Sequence, residues 1–472
     1  MTRLLAAVLA LCACDAALEA MPDAGAPPIS DGEDPPPVRP ARFRNPINAG
    51  ADPFLTYHAG HYYLMTTQGD ALRMWKARSL PELAVAAPAT IWQDTDPSRD
   101  RDVWAPALHL FDGRWYVYYT ADDGLDDHHR LHVLESDGAD PLGPYHYKAK
   151  LEPFNGLGLW AIDPEVFEQN GKRYIVWSGE NAQARNRLYI AQLANPWTIG
   201  GPRVYLPAAG GCPEVREAPS ILQRDGTTHL VYSSCDTGKP DYQLWMLTAP
   251  MSADPMLASS WTQHPVPVLR AAPELGVFGP GSNGFFKSPD GTEDWIVYHA
   301  KNTGSFTYDG RTTRVQKLAP GSPLDLGPPV PVNEPQLAPS GDPGPGTYSL
   351  DDGDATFAGD WTLYTTCAQC MGNTDHGSAQ TGATATYTFT GTQIALYAVK
   401  DAGNGIAAFS IDDGPETTRD TYAPIRQGAQ PIYVSPRLAP GVHTLAVRVT
   451  GTKSPASAGV AIGIDRADVF GP

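Results

Sequence analysis

The sequence has few basic residues. Its 472 residues include 34 Lys and Arg against 52 Asp and Glu, which gives a formal net charge of −18 at pH 7. No basic patch is present that could neutralise a run of phosphates, so the composition argues against a nucleic-acid partner. An acidic chain of this kind is better suited to neutral or cationic partners.

Long apolar stretches are also missing. The most apolar segment lies near the N-terminus, where Arg3 precedes residues 4–11 and Cys12 and Cys14 follow. It is too short to span a bilayer as a helix. The pattern predicts a lipoprotein-type signal peptide over residues 1–13, with lipid on Cys14, or alternatively an ordinary secretory signal cleaved elsewhere. In both cases we expect an extracytoplasmic protein that is either secreted or held at a bacterial membrane only by the lipid anchor.

Cysteine is scarce, with six residues of which two lie in this N-terminal segment. Of the other four, Cys212 and Cys235 bracket one hairpin of the repeats described below, and Cys367 and Cys370 form a close pair. An even number in an exported chain implies two disulfides, Cys212–Cys235 and Cys367–Cys370. A zinc site would need more ligands than the second pair and His376 supply, so we predict no metal site there.

Helix signals are few, whereas glycine and proline number 46 each. This mixture favours turns and strands. One pattern occurs five times: a short apolar strand, a turn glycine, and an apolar-aromatic strand. The turn glycines are separated by 53, 58, 55 and 65 residues and are Gly60, Gly113, Gly171, Gly226 and Gly291. A period of this size in a strand-rich chain predicts a β-propeller with one blade per repeat.

Three of the five repeats carry a carboxylate eight or nine residues before the turn glycine, namely Asp52, Asp163 and Glu217. Ala105 and Ser282 occupy this place in the other two. If the repeats superpose, the three carboxylates meet where the strand ends converge on the propeller axis. Like charges gathered there would raise at least one pKa, which marks a candidate functional site.

Ordered motifs extend the pattern through every repeat. They are Ala-Asp-Pro-Phe at 51–54, Trp-Ala-Pro at 104–106, Ile-Asp-Pro-Glu at 162–165, Glu-Ala-Pro-Ser at 217–220, Gly-Pro-Gly-Ser-Asn at 279–283 and Trp-Ile-Val-Tyr-His at 295–299. Over residues 43–335 this set resembles glycoside hydrolase family 43, five-bladed β-propeller enzymes that act on arabinose- and xylose-containing polysaccharides. The sequence around Cys212, Glu217, Cys235 and Asp241-Tyr242 most resembles members described as α-L-arabinofuranosidases.

The resemblance implies a role for each carboxylate. Asp52 would be the general base, Glu217 the general acid, and Asp163 a neighbour that tunes the pKa of the acid and orients it. The chemistry agrees, since cleavage with inversion needs one carboxyl group to protonate the leaving oxygen and another to activate water on the opposite face. Charge repulsion from an ionised Asp163 would keep Glu217 protonated near neutral pH.

Further residues are candidates for substrate contacts. Arg311 matches an arginine that contacts sugar hydroxyls in this family. Trp104, Trp160 and Phe54 are candidates for an apolar wall against a sugar face, and packing is the alternative for the two tryptophans. No cofactor is implied. Many family members carry a histidine that helps to hold calcium or water in the central channel where this chain has Ser282, which argues against calcium here.

The expected function is an inverting glycoside hydrolase that releases terminal α-L-arabinofuranosyl residues from arabinan or arabinoxylan, with plant cell-wall polysaccharide as its partner. A β-xylosidase or endo-arabinanase, a non-catalytic sugar-binding propeller and a retaining propeller enzyme are the alternatives. Sequence does not decide between the arabinofuranosidase, the β-xylosidase and the endo-arabinanase, because the side chains that shape the cavity set substrate and mode of cleavage. The three carboxylates argue against a non-catalytic propeller, and the anomer of the product would identify a retaining enzyme.

The rest of the chain is predicted by composition. Residues 14–42 form a Pro-rich tether and residues 336–346 a linker. Residues 347–472 alternate with period two and predict an antiparallel β-sandwich, similar to the galactose-binding-type jelly-roll modules of secreted sugar enzymes. This domain is a candidate carbohydrate-binding module, with Trp361 or Tyr422 as platforms, or a stabilising appendage. The predicted fold class is therefore all-β, a five-bladed β-propeller followed by a β-sandwich.

Overall fold

A computed structural model of the protein describes residues 41–152, 158–181, 184–321, 324–344 and 346–471. The predicted signal peptide, Cys14 and tether residues 14–40 lie outside these ranges. Six short 3-10 helices occur in the described ranges: Pro81–Ala84, Asp126–His128, Ala258–Ser260, Pro273–Leu275, Asp352–Asp354 and Met371–Asn373. None of these has the length and apolar character needed to cross a membrane.

Five antiparallel sheets form the blades of a propeller, as predicted. Blade one contains Phe54–His58, His61–Met65, Leu72–Ala77 and Ala89–Trp92. Blade two contains Arg101–Phe111, Arg114–Asp122, Arg130–Ser136 and Tyr145–Leu151. Blade three contains Ala161–Gln169, Lys172–Gly179, Arg187–Asn195, Thr198–Ile199 and Val204–Tyr205. Blade four contains Arg216–Arg224, Thr227–Ser234, Gln243–Pro250 and Thr262–Gln263, and blade five contains Phe278–Lys287, Asp294–Lys301 and Thr312–Lys317.

The first strand of each blade is the innermost, since these strands contact one another around the ring. Five apolar clusters fill the interfaces between successive blades, and each combines aromatic and branched side chains from both neighbours. Trp177 and Trp295 are completely buried in two of them. The aromatic strand that follows each turn glycine therefore supplies the core between blades.

The first turn of the repeat has the geometry expected of a tight hairpin. In blades one to four, both central residues have positive φ, as at Asn170 (52°) and Gly171 (71°) of blade three. This is the left-handed pairing of a type I′ turn, which matches the twist of the two flanking strands. Gly291 also has positive φ (74°), but in a longer connection between Phe278–Lys287 and Asp294–Lys301.

The ring closes through the segment before blade one. Ile47 donates its N–H to the carbonyl of Thr313 over 2.9 Å, and the Asn45 side chain bonds both N–H and C=O of Val315. Blade five thus gains a partner from the other end of the domain at its outer strand. Nearby, Arg42–Phe43 pairs with Gln336–Leu337, so part of the segment predicted as a linker is hydrogen-bonded to the segment that leads into blade one.

Residues 347–470 form the predicted β-sandwich. One sheet contains Thr347–Asp351, Arg466–Phe470, Gln393–Lys400 and Gln427–Val434. The second contains Thr356–Ala358, Thr384–Gly391, Gly441–Val449, Ile406–Ile411 and Thr417–Asp420, and a small third sheet contains Thr362–Tyr364, Asp375–Ser378 and Ile462–Ile464. Trp361 is not a free platform, because it is half-buried against the domain core and packs on Phe357 with ring centroids 5.3 Å apart.

The sandwich is hydrogen-bonded to the propeller through buried groups. Arg466 is completely buried and donates to the carbonyls of Asn45 (2.9 Å) and Val332 (3.0 Å). The phenol of Tyr397 lies 3.4 Å from the carbonyl of Pro46 and under the Arg466 guanidinium. A buried cation whose donors end on the other domain fixes the two domains against each other, since separating them would leave those donors unpaired.

Candidate active site

A non-glycine residue in the left-handed region recurs at the equivalent place in all five blades, within the first strand or just before it. The φ angles lie between 43° and 56°, at Asp52, Ala105, Asp163, Ala218 and Ser282. Such residues cost about 1–3 kcal/mol each and are retained where a side chain or backbone group must be re-aimed. The equivalent of Asp52 and Asp163 in blade four is therefore Ala218. Glu217 lies one residue earlier, so the assumption that all three carboxylates occupy one repeat position was wrong.

At four of the blade interfaces, the N–H of the left-handed residue is bound by a side chain that lies in the second strand of the preceding blade or just after it. These pairs are Ala105 with Thr67 Oγ1 (2.9 Å), Asp163 with Thr120 Oγ1 (3.1 Å), Ser282 with Ser233 Oγ (2.8 Å) and Asp52 with His299 Nδ1 (3.2 Å). The acceptor lies seven or eight residues after the turn glycine. This acceptor satisfies the N–H of the left-handed residue, which is turned away from the hydrogen-bond ladder of the sheet.

The interface between blades three and four differs. Ser178 occupies the acceptor position, but its hydroxyl donates to the carbonyl of Arg216 over 2.8 Å. The N–H of Ala218 donates instead to Oδ2 of Asp163 over 2.9 Å. The carboxylate of Asp163 is thereby bound next to Glu217.

Six of the seven residues predicted for catalysis and substrate contact line one cavity of about 520 Å³: Asp52, Asp163, Glu217, Arg311, Trp104 and Trp160. Phe54 does not line it. Phe54 follows the left-handed residue Asp52 by two positions, and its ring lies further down the axial channel. There it packs edge-on against His109, with centroids 5.5 Å apart. The prediction that Phe54 contributes to the wall of this cavity was therefore wrong.

Asp52 is surrounded by groups that favour its charged form. Thr67 donates to Oδ2 over 2.8 Å, and the Arg311 guanidinium lies 3.7 Å from the same atom. Burial alone would raise the pKa of Asp52, but Arg311, His299 and Thr67 outweigh it and hold the pKa well below its ordinary value. Asp52 is therefore a carboxylate over the whole physiological pH range.

His299 lies between Asp52 and Thr237. Its Nδ1 is 3.2 Å from the backbone nitrogen of Asp52 and 3.3 Å from Oδ1 of the same residue, and its Nε2 lies 3.1 Å from Oγ1 of Thr237. Burial lowers the pKa of the His299 ring, in agreement with a neutral imidazole. Tyr242 stacks on this ring with planes 7° apart and centroids 5.6 Å apart.

Glu217 has the opposite environment. Tyr242 donates to Oε1 over 2.9 Å and the Asn186 amide donates to Oε2 over 3.0 Å. Burial raises the pKa of Glu217, and the charge of Asp163 raises it further, against the hydrogen bond from Tyr242. Burial and the Asp52 charge likewise raise the pKa of Asp163. The cavity thus combines an acidic group kept ionised with one kept protonated.

Four of these contact residues were not predicted, although three carried a signal. Thr67 recurs in phase with Thr120 and Ser233, and Tyr242 and His299 stand in motifs that carry the family resemblance. Asn186 carried none, because it follows blade three's second strand in a stretch without repeat and reaches Glu217 only through the fold.

The described residues offer little to a metal ion. The two groups of three close ligands are built on Cys212–Cys235 and Cys367–Cys370, whose sulfurs are joined in disulfides as predicted and are not thiolates. Calcium requires six to eight oxygen ligands. Near Ser282 the channel is lined by Asp52, Asp163, Glu165 and Asn283, and Glu165 lies 3.4 Å from His109. The expectation about calcium stays a prediction.

Comparison with known proteins agrees with this geometry. The sequence profile of glycosyl hydrolases family 43 matches residues 43–319. The chain belongs to glycosyl hydrolases family 43. The match covers all five blades and the three carboxylates, whereas the sandwich lies beyond it.

Several relatives of this family 43 chain are characterised by name. An extracellular exo-α-(1→5)-L-arabinofuranosidase from Streptomyces avermitilis is 35% identical over 60% of this chain and 62% of its own length. Alpha-L-arabinofuranosidase 43 from Humicola insolens is 34% identical over the same shares. The crystal structure of an α-L-arabinofuranosidase from Lactobacillus brevis superposes with a TM-score of 0.58 at 32% identity, over 62% of this chain and 98% of that one. This chain thus spans less than two thirds of the first two relatives.

Proposed function

We propose that the protein is an inverting exo-acting α-L-arabinofuranosidase that removes terminal arabinofuranosyl residues from arabinan or arabinoxylan. The observation that carries this proposal is that one cavity holds two carboxyl groups whose pKa values are shifted in opposite directions. Asp52 has a lowered pKa and Glu217 a raised one. This is the pairing of base and acid that single-step hydrolysis of a glycosidic bond requires.

In the proposed reaction, Asp52 accepts a proton from a water molecule as that water attacks the anomeric carbon. Thr67 and Arg311 hold the carboxylate in place and ionised. At the same time Glu217 gives its proton to the glycosidic oxygen, so the leaving sugar departs as a neutral alcohol. Water arrives on the face opposite the leaving group, which inverts the anomeric configuration.

Asp163 acts in this scheme through Glu217. Its charge, added to burial, keeps Glu217 protonated until substrate arrives. Asn186 and Tyr242 fix the two carboxyl oxygens of the acid and thereby its direction of proton transfer. Trp104 and Trp160 form part of the wall against which the terminal sugar packs. No cofactor takes part in the proposed reaction.

The choice of arabinose is supported by the names of the relatives, four of which are arabinofuranosidases at 31% to 35% identity. We also propose an extracytoplasmic location, which the two disulfides support because such bonds persist in oxidising compartments. Anchoring through lipid on Cys14 is part of the same proposal. The substrate would then be plant cell-wall polysaccharide met outside the cell.

The test is a screen of sugars released from arabinan, arabinoxylan and xylan by the wild type, Asp52→Asn and Glu217→Gln. Release of arabinose alone by the wild type, lost in both variants, is expected. Release of xylose or of internal oligosaccharides would instead indicate a β-xylosidase or an endo-arabinanase. NMR of the first product should give the inverted anomer; a retained anomer would contradict the single-step mechanism, and binding without hydrolysis would indicate a non-catalytic propeller.

A further inference from the structure

Two aromatic side chains stand exposed at the mouth of the catalytic cavity. Phe306 is 54% and Tyr308 52% exposed, and their rings meet edge to face with centroids 5.3 Å apart. Tyr308 and Arg311 both line the cavity, and Arg311 donates to the carbonyl of Tyr308 over 2.9 Å. Adjacent exposed rings beside a site call for a functional account, because water contact is unfavourable for both.

The loop that carries these rings is held rigidly. Lys301 is completely buried, and its ammonium group donates to the carbonyls of Gly238 and Thr307. Thr307 in turn donates its N–H to the carbonyl of Gly238 over 2.9 Å. Burial lowers the pKa of Lys301 to about 8, so burying this ammonium group is unfavourable. Its hydrogen bonds are made to backbone carbonyls and hold the loop in place. The exposed pair is therefore preorganised.

Gly238 allows the rings to lie where they do. A Cβ atom at this position would come within 2.9 Å of ring atoms of both Phe306 and Tyr308. The Tyr308 hydroxyl also donates to Oδ2 of Asp236 over 3.3 Å. Asp236 follows the strand Thr227–Ser234, in which Ser233 pairs with Glu217. The two rings therefore lie at the end of the hairpin that carries the acid.

The sandwich domain supports the loop from behind. The Asn302 amide donates to the carbonyl of Gly428 over 2.7 Å, and the Arg314 guanidinium donates to Oδ1 of Asn302 over 2.7 Å. Arg314 is completely buried, so Asn302 is fixed on both sides. The loop thus contacts blade four, blade five and the second domain, and Phe306 and Tyr308 are its exposed aromatic side chains.

We propose that Phe306 and Tyr308 form the binding platform for the sugar on the leaving-group side of the scissile bond. This inference rests on the proposed function, because it assigns the terminal sugar to the cavity and the rest of the chain to its mouth. The leaving group lies on the side of Glu217, which protonates it, and the platform adjoins that side. The C–H faces of a sugar pack on aromatic rings, and rings already fixed lose little conformational entropy on binding.

The test compares two substrates that differ only in the leaving group. The leaving group of arabinotriose is arabinobiose, which can reach the two rings, whereas the leaving group of methyl α-L-arabinofuranoside is methanol, which cannot. In Phe306→Ala and Tyr308→Ala, kcat/KM for arabinotriose should fall about tenfold, the loss expected for one aromatic contact. The value for the methyl glycoside should stay within about twofold of wild type. Tyr308→Phe keeps the ring and should retain the wild-type ratio.

Tyr205→Ala is the matched control, since this tyrosine is 48% exposed on blade three and does not line the cavity. Equal loss on both substrates, or no loss on either, overturns the platform. The same series is run with xylobiose and methyl β-xyloside. Cleavage of only the xylosides would overturn the arabinose specificity while still measuring the platform, and cleavage of neither series would overturn both proposals. Unchanged thermal midpoints check that the alanine variants fold.

Discussion

The N–H of Ala218 donates a 2.9 Å hydrogen bond to Oδ2 of Asp163. At the other four blade interfaces a threonine, serine or histidine accepts the equivalent N–H. One structural contact of the propeller is thus made by a carboxylate instead of a neutral group. Ala218 directly follows Glu217. The hydrogen bond to the Ala218 N–H therefore holds the Asp163 carboxylate beside Glu217, at a position set by the fold.

Replacing Asp163 by Asn should move the alkaline limb of the pH profile. Glu217 acts in its protonated form, so activity is lost as pH rises through its pKa. The amide oxygen introduced by Asp163→Asn would still accept the Ala218 N–H, but the amide carries no charge to raise that pKa. We expect the limb of kcat/KM to move about one unit to lower pH, with burial retaining the rest of the shift.

The control for this variant is Ser178→Ala. Ser178 occupies the corresponding position of blade three, but its hydroxyl donates to the carbonyl of Arg216 instead of to one of the three carboxylates. It should lower stability without moving the limb. A limb that stays in place in Asp163→Asn would contradict the proposed influence of Asp163 on the acid.

Tyr242→Phe should move the same limb in the opposite direction. The phenol donates to Glu217 and stabilises its ionised form, which lowers the pKa of the acid against the effects of burial and Asp163. Phenylalanine retains the stack on His299 but not the donor. We expect an alkaline limb at higher pH and a kcat reduced about tenfold, the value of one lost hydrogen bond to a charged or reacting group.

The measurement is a pH series of kcat and of kcat/KM for Tyr242→Phe alongside Asp163→Asn. Opposite displacements of the limb are the distinguishing result, because a general loss of folding would lower both rates without separating the profiles. Displacement of both variants to lower pH would show that the Tyr242 hydroxyl does not act on the ionised acid.

Arg311→Met should move the acidic limb to higher pH. Asp52 acts as a carboxylate, so activity falls as pH drops through its pKa, and the Arg311 charge is what chiefly lowers that pKa. Arg311→Lys keeps a charge and should produce a smaller displacement. The position of the limb in kcat/KM profiles separates this effect from lost substrate contacts, which change only the height. If the acidic limb stayed in place in Arg311→Met, His299 and Thr67 would be sufficient to keep the pKa of Asp52 low.

The propeller and its axis could be predicted because the repeat leaves marks at fixed spacing. Gly60 and Gly171 must adopt positive φ in tight turns, and Asp52 and Asp163 stand eight residues before them. Glu217 could not be placed as well, because an offset of nine is explained equally by an extra loop residue or by a shifted side chain. The structure shows the second, with Ala218 at the repeat position.

Contacts between remote segments could not be predicted. Asn186 reaches Glu217 from another blade, and no periodic pattern constrains such a pair. Phe54 illustrates the opposite error, since two residues of separation from Asp52 suggested a shared wall, whereas the backbone break between strand and loop directs its ring into the channel. Sequence spacing gives directions only while the backbone is regular.

The two disulfides should differ in their contribution to stability. Cys212–Cys235 closes a loop with a separation of 23 residues, whereas Cys367–Cys370 spans only three. Loop entropy predicts a contribution of about 3 kcal/mol for the first and about 2 kcal/mol for the second. Cys212→Ala with Cys235→Ala should therefore lower the thermal midpoint more than the double alanine variant of the other pair.

Activity gives an independent readout of the same comparison. Cys212–Cys235 links the two ends of the hairpin Arg216–Arg224 and Thr227–Ser234, which carries Glu217. Its loss should raise the mobility of the acid and lower kcat at temperatures well below the midpoint. The pair in the sandwich lies in the other domain, so its loss should leave kcat unchanged there. Equal effects on kcat would mean that the hairpin is held by its strand pairing alone.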